Sequence, residues 1–178
     1  MKNNILKNQL IQDLKNSNKN YILENKDKFT QFVNGQNPKI AVLTCSDSRV
    51  IPEFIFNKSI GDIFVVRVAG NVTIDESVIS SLEYAVEHLN VELLIILGHT
   101  NCGAIAAAEK SVDNSNKLLD EIRKSFKIHH NHFVGNIMYQ LEILPNRSKI
   151  ISDSIKNRKL HLIGAVYDLK DGTVEFLV

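Results

Sequence analysis

At 178 residues, with 44% apolar and 23% charged side chains, the chain is long enough to bury one sizeable core and too apolar to be disordered. Its 21 Lys and Arg against 20 Asp and Glu leave a formal charge of +1, which gives no electrostatic footprint for nucleic acid or an anionic membrane surface. The two cysteines, Cys45 and Cys102, lie far apart in sequence; they exclude a disulfide framework and read as a reduced, intracellular pair with a chemical use.

The first residues carry lysines but no continuous apolar run or small-residue cleavage site, and no apolar stretch approaches the roughly 20 residues of a membrane-spanning helix. The expectation is a cytoplasmic protein. Ile5, Leu6, Leu10 and Leu14 recur at helical spacing and predict a first amphipathic helix. Tyr21, Ile22, Phe29, Phe32 and Val33 predict a second, capped at Gly35. This apolar stripe can pack on the chain's own core or on a neighbouring subunit, and the pattern leaves both open. Residues 1–35 thus read as a helical extension of a single domain covering 1–178.

After Pro38 the pattern changes to short apolar runs, Lys39–Thr44, Asp62–Val68 and Val91–Leu97, each of strand length. Between the last two, Ile74, Val78, Leu82, Ala85, Val86 and Leu89 line one helical face. Helical patterning continues from Ser115 to Lys156, with Pro145 expected to stop the helix that carries Phe133, Ile137, Leu141 and Leu144. Leu160–Tyr167 is a fourth strand, and the turn formers Asp168, Asp171 and Gly172 lead to a last one, Val174–Val178. Apolar strands alternating with amphipathic helices give an α/β fold. It is expected to be a central, mainly parallel sheet of about four strands flanked by helices, with a C-terminal antiparallel edge strand.

Two loops at the C-terminal ends of predicted strands carry the chemistry: CSDSR (Cys45–Arg49) and GHTNCGA (Gly98–Ala104). Ligands bind at that edge in open parallel sheets. Together the loops supply Cys45, His99 and Cys102, two thiolates and an imidazole that suit tetrahedral Zn²⁺ and leave a fourth position open. Gly98 and Gly103 are expected to let the second loop bend. Asp47 and Arg49, two apart, can pair through the planar guanidinium fork. A carboxylate beside the metal can ligate it and block the fourth site, or turn to Arg49 and admit water, whose pKa the ion lowers to about 7.

These residues carry a family resemblance. CSDSR, followed by RVIPEFIF, GDIFVVRVAGN, SLEYAV and GHTNCGA, resembles a β-class carbonic anhydrase from about Gln36 through Ala108, and LHLIGAVYD resumes the likeness more weakly. The resemblance implies a zinc enzyme, a lyase that interconverts CO₂ and bicarbonate through hydroxide formed at the metal. It implies Cys45, His99 and Cys102 as zinc ligands and Asp47 and Arg49 as the catalytic dyad that gates the fourth position, with Asp47 a fourth ligand in a closed state. It implies Gln36, Phe64 and Tyr84 as lining of the CO₂ pocket, with Gln36 and a backbone amide near Gly103 steadying bicarbonate oxygens. It further implies a homodimer or tetramer in which the N-terminal helices embrace the neighbouring protomer and the partner lends part of the lining. Two other readings share the motifs: a carbonyl sulfide or carbon disulfide hydrolase of the same fold, and a non-catalytic zinc-binding protein.

The chain departs from the family pattern at two places. Val68 stands where many members carry an asparagine, and Val42 where members with a second, regulatory bicarbonate site carry a tryptophan, so Arg67 reads as structural. His129, His130 and His132 do not converge on one helical face and have no acidic neighbour in sequence, which suits a surface or interface role, proton transfer included. His88 and His161 read as helix-surface and strand-packing residues.

Overall fold

The computed structural model describes residues 2–29, 31–110 and 116–177. They divide into two compact units, Met1–Gln36 and Asn37–Val178.

The first unit is built on α1 (Lys2–Phe29), two helical stretches that meet at a kink. The polar stretch around Lys15–Asn20 contains no Gly or Pro, and its Asn and Ser residues are weak helix formers rather than breakers. The interruption falls at Asn25 (φ −123°, ψ 16°), whose side-chain amide donates to the Tyr21 carbonyl at 2.9 Å and so competes with the backbone ladder. The helix ends at Phe29, well before Gly35, which is therefore not its cap. Leu6, Leu10, Leu14, Tyr21, Ile22, Leu23 and Val33 are all exposed.

The second unit follows the expected order. Strands β1 (Ile40–Thr44), β2 (Ile63–Arg67), β3 (Leu93–His99), β4 (His161–Tyr167) and β5 (Val174–Leu177) form one sheet in the order β2-β1-β3-β4-β5. The first four run parallel and β5 pairs antiparallel with β4. The last residue expected in β5, Val178, lies outside the described residues, as does Ser115. A four-residue helix not read from the sequence, α2 (Pro52–Ile55), follows β1 with Pro52 in its first turn, where a missing N–H costs nothing. Helix α3 (Glu76–Glu87) connects β2 to β3, and α4 (Gly103–Lys110), α5 (Lys117–Lys124), α6 (His132–Arg147) and α7 (Lys149–Lys156) lie between β3 and β4.

Alternate strand residues face opposite layers. Ala41, Leu43, Leu94 and Ile96 pack under α3, α6 and α7 with Leu82, Ile137, Leu144 and Ile151, while Val42, Ile95 and Leu97 face Val50, Ile55 and Phe56. Each such fully buried side chain contributes about 1.5–3 kcal/mol. Pro145 does not stop α6, which runs on to Arg147. A proline in the last turn forfeits a single ladder bond, and the chain turns away only at Ser148 (φ −134°), whose side chain caps α7 by accepting from Ile151 N.

The chain leaves β1 toward β2 on one side, and leaves β3 toward β4 on the other. Loops departing in opposite directions open a crevice between β1 and β3 at their C-terminal ends. Helix α6 rests on β3 and β4 at Gly98 and Gly164, where a Cβ would stand 2.6 Å from Ile137 Cδ1 and Cγ2 respectively. Gly164→Ala should therefore lower stability by ~1–3 kcal/mol through overpacking, read as a lower midpoint in urea with an unchanged slope.

Candidate metal centre

Cys45 is the first residue after β1, His99 the last of β3, and Cys102 lies just before α4, so the crevice gathers all three. Thr44, fully buried, ties the two strands together at this end by donating its hydroxyl to the Leu97 carbonyl at 2.9 Å. The bend between His99 and Cys102 is made by Asn101 (φ 53°), not by the flanking glycines. Gly98 is required for helix packing, and a Cβ on Gly103 would meet nothing within 4 Å. Asparagine tolerates the left-handed region better than most residues, which is why it can stand there.

The donor atoms of Cys45, His99 and Cys102 lie within 4.8 Å of one another, and all three residues are buried. The Sγ atoms are 3.9 Å apart. Two thiolates on one tetrahedral zinc, each at about 2.3 Å, stand about 3.8 Å from each other. His99 Nδ1 lies 2.9 Å from the Thr100 carbonyl, which can only accept, so Nδ1 carries the proton and Nε2 presents its lone pair. Nε2 is buried and has no hydrogen-bond partner. An imidazole lone pair directed at two sulfurs, with nothing donating to it, fits a metal ligand. Val72, Ile105, Ala108 and Ile122 wall the sulfurs with apolar surface.

Within that wall the Cys45 thiol is pulled well below the ordinary thiol range, chiefly by the Cys102 S–H and further by backbone amides, against the opposing effect of burial. Gly70 N is one of those amides, 3.3 Å from Cys45 Sγ. Cys102 is pushed the other way, above the usual thiol range, by the neighbouring sulfur and by burial. Their contact thus drives the two thiols' acidities in opposite directions.

Asp47 and Arg49 pair as expected and bidentately: Nε donates to Oδ1 at 2.9 Å and Nη2 to Oδ2 at 2.7 Å, while the Arg49 backbone N–H also donates to Oδ1 at 3.0 Å. These bonds hold the Asp47 carboxyl far below the usual carboxylate range. Its Oδ2 lies 3.9 Å from His99 Nε2, so the carboxylate borders the donor cluster while engaged with Arg49. Arg67, at the end of β2, clamps the same loop by donating to the carbonyls of Cys45 (3.4 Å) and Asp47 (2.7 Å).

Phe64 pairs in register with Ala41, four residues upstream of Cys45, and its ring lies 6.1 Å from that of Tyr84 on α3. The two aromatics form their own cluster, with Tyr84 45% exposed. Gln36 belongs to the first unit and is exposed. Gly103 opens α4 beside Cys102. Among the residues discounted for metal binding, His132 does have an acidic partner: its Nδ1 is 2.7 Å from Glu109 Oε1, contributed by α4, while its ring stacks on Phe126. Sequence neighbours gave no sign of that pair because it joins two helices.

A carbonic anhydrase family model matches residues 40–174. The chain belongs to the β-carbonic anhydrase family. Carbonic anhydrase 2 of Mycobacterium tuberculosis is 35% identical over 153 residues, which cover 78% of this chain and 73% of that protein. Among solved structures, the Coccomyxa β-carbonic anhydrase in complex with acetazolamide aligns with a TM-score of 0.78 at 26% identity, covering 95% of this chain and 85% of that one. A tetrameric β-carbonic anhydrase of the ascomycete Sordaria macrospora aligns with a TM-score of 0.81 at 25% identity, covering 96% of this chain and 97% of that one.

In metal-free protein the ultraviolet absorbance of one thiolate should persist on acidification well below the ordinary thiol range and be absent from Cys45→Ser. The Cys45 thiol sheds its proton more readily folded than unfolded, so the stability it contributes is lost as pH falls through the folded value. Cys102, held protonated by the fold, contributes stability that is lost as pH rises above the ordinary thiol range.

Proposed function

We propose that this protein catalyses the reversible hydration of CO₂ to bicarbonate and a proton, with zinc held by Cys45, His99 and Cys102. The observation that carries the reading is the buried two-sulfur, one-imidazole cluster with the Asp47–Arg49 pair at its edge. A bound zinc ion supplies Lewis acidity and brings the pKa of water to about 7, so that hydroxide is available at neutral pH.

The chain's own residues do the rest. Arg49 holds both carboxylate oxygens of Asp47 and so keeps that carboxylate from taking up the fourth position; rotation away from Arg49 would close the site. Because the pair holds Asp47 ionised, its carboxylate is ready to accept a hydrogen bond from water entering beside His99. Arg67 fixes the loop carbonyls, which sets the direction of the Asp47 side chain. Gly103 leaves open space above the first turn of α4, where its backbone N–H can steady a bicarbonate oxygen.

We assign Phe64 and Tyr84 to the lining of a neighbouring protomer's pocket, together with Gln36, since CO₂ has no charge to grip and needs a small apolar recess with few donors. The exposure of Tyr84 and its contact with Phe64 support that assignment. The exposed apolar side chains of α1 support a self-assembling protein, a homodimer or dimer of dimers in which residues 1–35 extend one domain onto its partner. No described helix is long and apolar enough to cross a membrane.

Stopped-flow CO₂ hydration on zinc-loaded protein tests the activity. Cys45→Ser should lose stoichiometric zinc and the rate with it, whereas Arg49→Ala should keep its zinc and lose about 10²-fold in kcat/KM through misplacement of Asp47. Full zinc and full rate in Cys45→Ser would refute the reading. Assembly is tested separately: Leu10→Asp combined with Leu14→Asp should halve the mass measured by light scattering, and an unchanged mass would remove α1 from the interface.

A further inference from the structure

A line of buried polar groups runs from α5 to the first sulfur ligand, and the chemistry described above makes no use of it. Glu121, fully buried on α5, forms ion pairs with Arg147 at 2.6 Å and Lys124 at 3.0 Å. Arg147 donates to Thr73 Oγ1 at 3.0 Å. Thr73 donates its backbone N–H (2.9 Å) and its hydroxyl (2.7 Å) to Gln140 Oε1. Gln140 Nε2 in turn donates to Asn136 Oδ1 at 3.4 Å, and Asn136 Nδ2 donates to the Gly70 carbonyl at 2.8 Å. The line ends where Gly70 N–H meets Cys45 Sγ at 3.3 Å. Thr73, Gln140, Asn136 and Glu121 are each no more than 1% exposed.

Burying this many polar groups is costly unless every one is paired, and an apolar core of the same volume would hold α6 in place without them. What apolar packing cannot do is orient a peptide plane. Gly70 sits in the left-handed region (φ 68°), and a Cβ there would come within 2.6 Å of Ile122 Cδ1. Its carbonyl and N–H lie on successive peptide groups, so a donor that fixes the carbonyl restrains the turn that aims the N–H. Asn136 is that donor, and Gln140 fixes the Asn136 amide so that Nδ2, not Oδ1, faces Gly70.

We infer that Asn136 is a positioning residue for Cys45: through Gly70 it directs an N–H···S hydrogen bond onto the thiolate and thereby sets how much charge that sulfur gives to the metal. The inference rests on the zinc reading above. An N–H donor withdraws charge from a thiolate, which leaves a bound ion more acidic and the ligand more firmly oriented.

The wild-type protein loaded with NMR-active cadmium gives the direct test. A scalar coupling should appear between the metal and the Gly70 amide proton, transmitted through Cys45 Sγ. In Asn136→Ala that coupling should vanish, zinc affinity measured by chelator competition should fall about 10- to 100-fold, and the thiolate-to-cobalt absorption band of cobalt-loaded protein should move to longer wavelength. Leu144→Ala, which opens a cavity under the same helix without touching the polar line, should keep the coupling and the band position. Wild-type protein that binds cadmium through both sulfurs but shows no Gly70 coupling overturns the inference and leaves the zinc reading standing. Protein that binds neither cadmium nor zinc overturns both. Equal losses of affinity in the two variants with an unmoved cobalt band reduce Asn136 to a support of the fold and overturn the inference.

Discussion

Cys45 Sγ and Cys102 Sγ stand 3.9 Å apart inside an apolar shell, a separation at which two thiolates cannot both ionise unless a cation or a set of donors balances them. The surrounding structure is arranged around that repulsion. Backbone amides face the first sulfur, and His99 presents a lone pair rather than a proton to the space between the sulfurs. The Asp47 carboxylate, a third negative group at the rim, is neutralised by Arg49. The parallel sheet supplies the place: only between β1 and β3 do two loops depart in opposite directions, leaving room for side chains from both to converge.

Much of this was legible in the sequence, for physical reasons that can be named. Strands buried on both faces produce unbroken apolar runs, so KIAVLT, DIFVVRV, VELLIIL and LHLIGAVY marked β1 to β4 to within two residues. Donors of one chemical type at strand ends marked the metal centre, and the spacing of Asp47 and Arg49 marked their pairing. What stayed hidden depends on partners distant in sequence. Gly98 looked like a hinge and is a seat for Ile137; His132 looked unpartnered and meets Glu109 from another helix. Pro145 misled because propensity is a local preference, and a helix end is decided by what the last turn loses. Gly70 stood in plain view within RVAGN, yet only the turn it makes shows that its N–H faces a sulfur.

One departure from the family pattern, Val42, acquires a physical meaning, as does the structural reading of Arg67. Val42 is fully buried in the sheet face that meets Val50 and Ile55, so an aromatic ring at that position would have to displace core packing. Arg67 donates to the carbonyls of Cys45 and Asp47 and is thereby occupied in holding the first loop. The two arginines near the centre divide the work: one grips the backbone of the loop, the other the side chain that the loop carries.

Thr100, whose carbonyl fixes the His99 tautomer, is itself held by the β4–β5 hairpin. Its N–H donates to Tyr167 O at 3.0 Å, and its hydroxyl donates to Asp168 Oδ1 at 3.2 Å while accepting from Leu169 N at 3.0 Å. During synthesis on the ribosome, Cys45, His99 and Cys102 all emerge before any of those three residues exists. A growing chain therefore carries all three donors for some time before the hairpin that holds Thr100 exists. The orientation of the imidazole is in this sense tied to the last strands of the sheet.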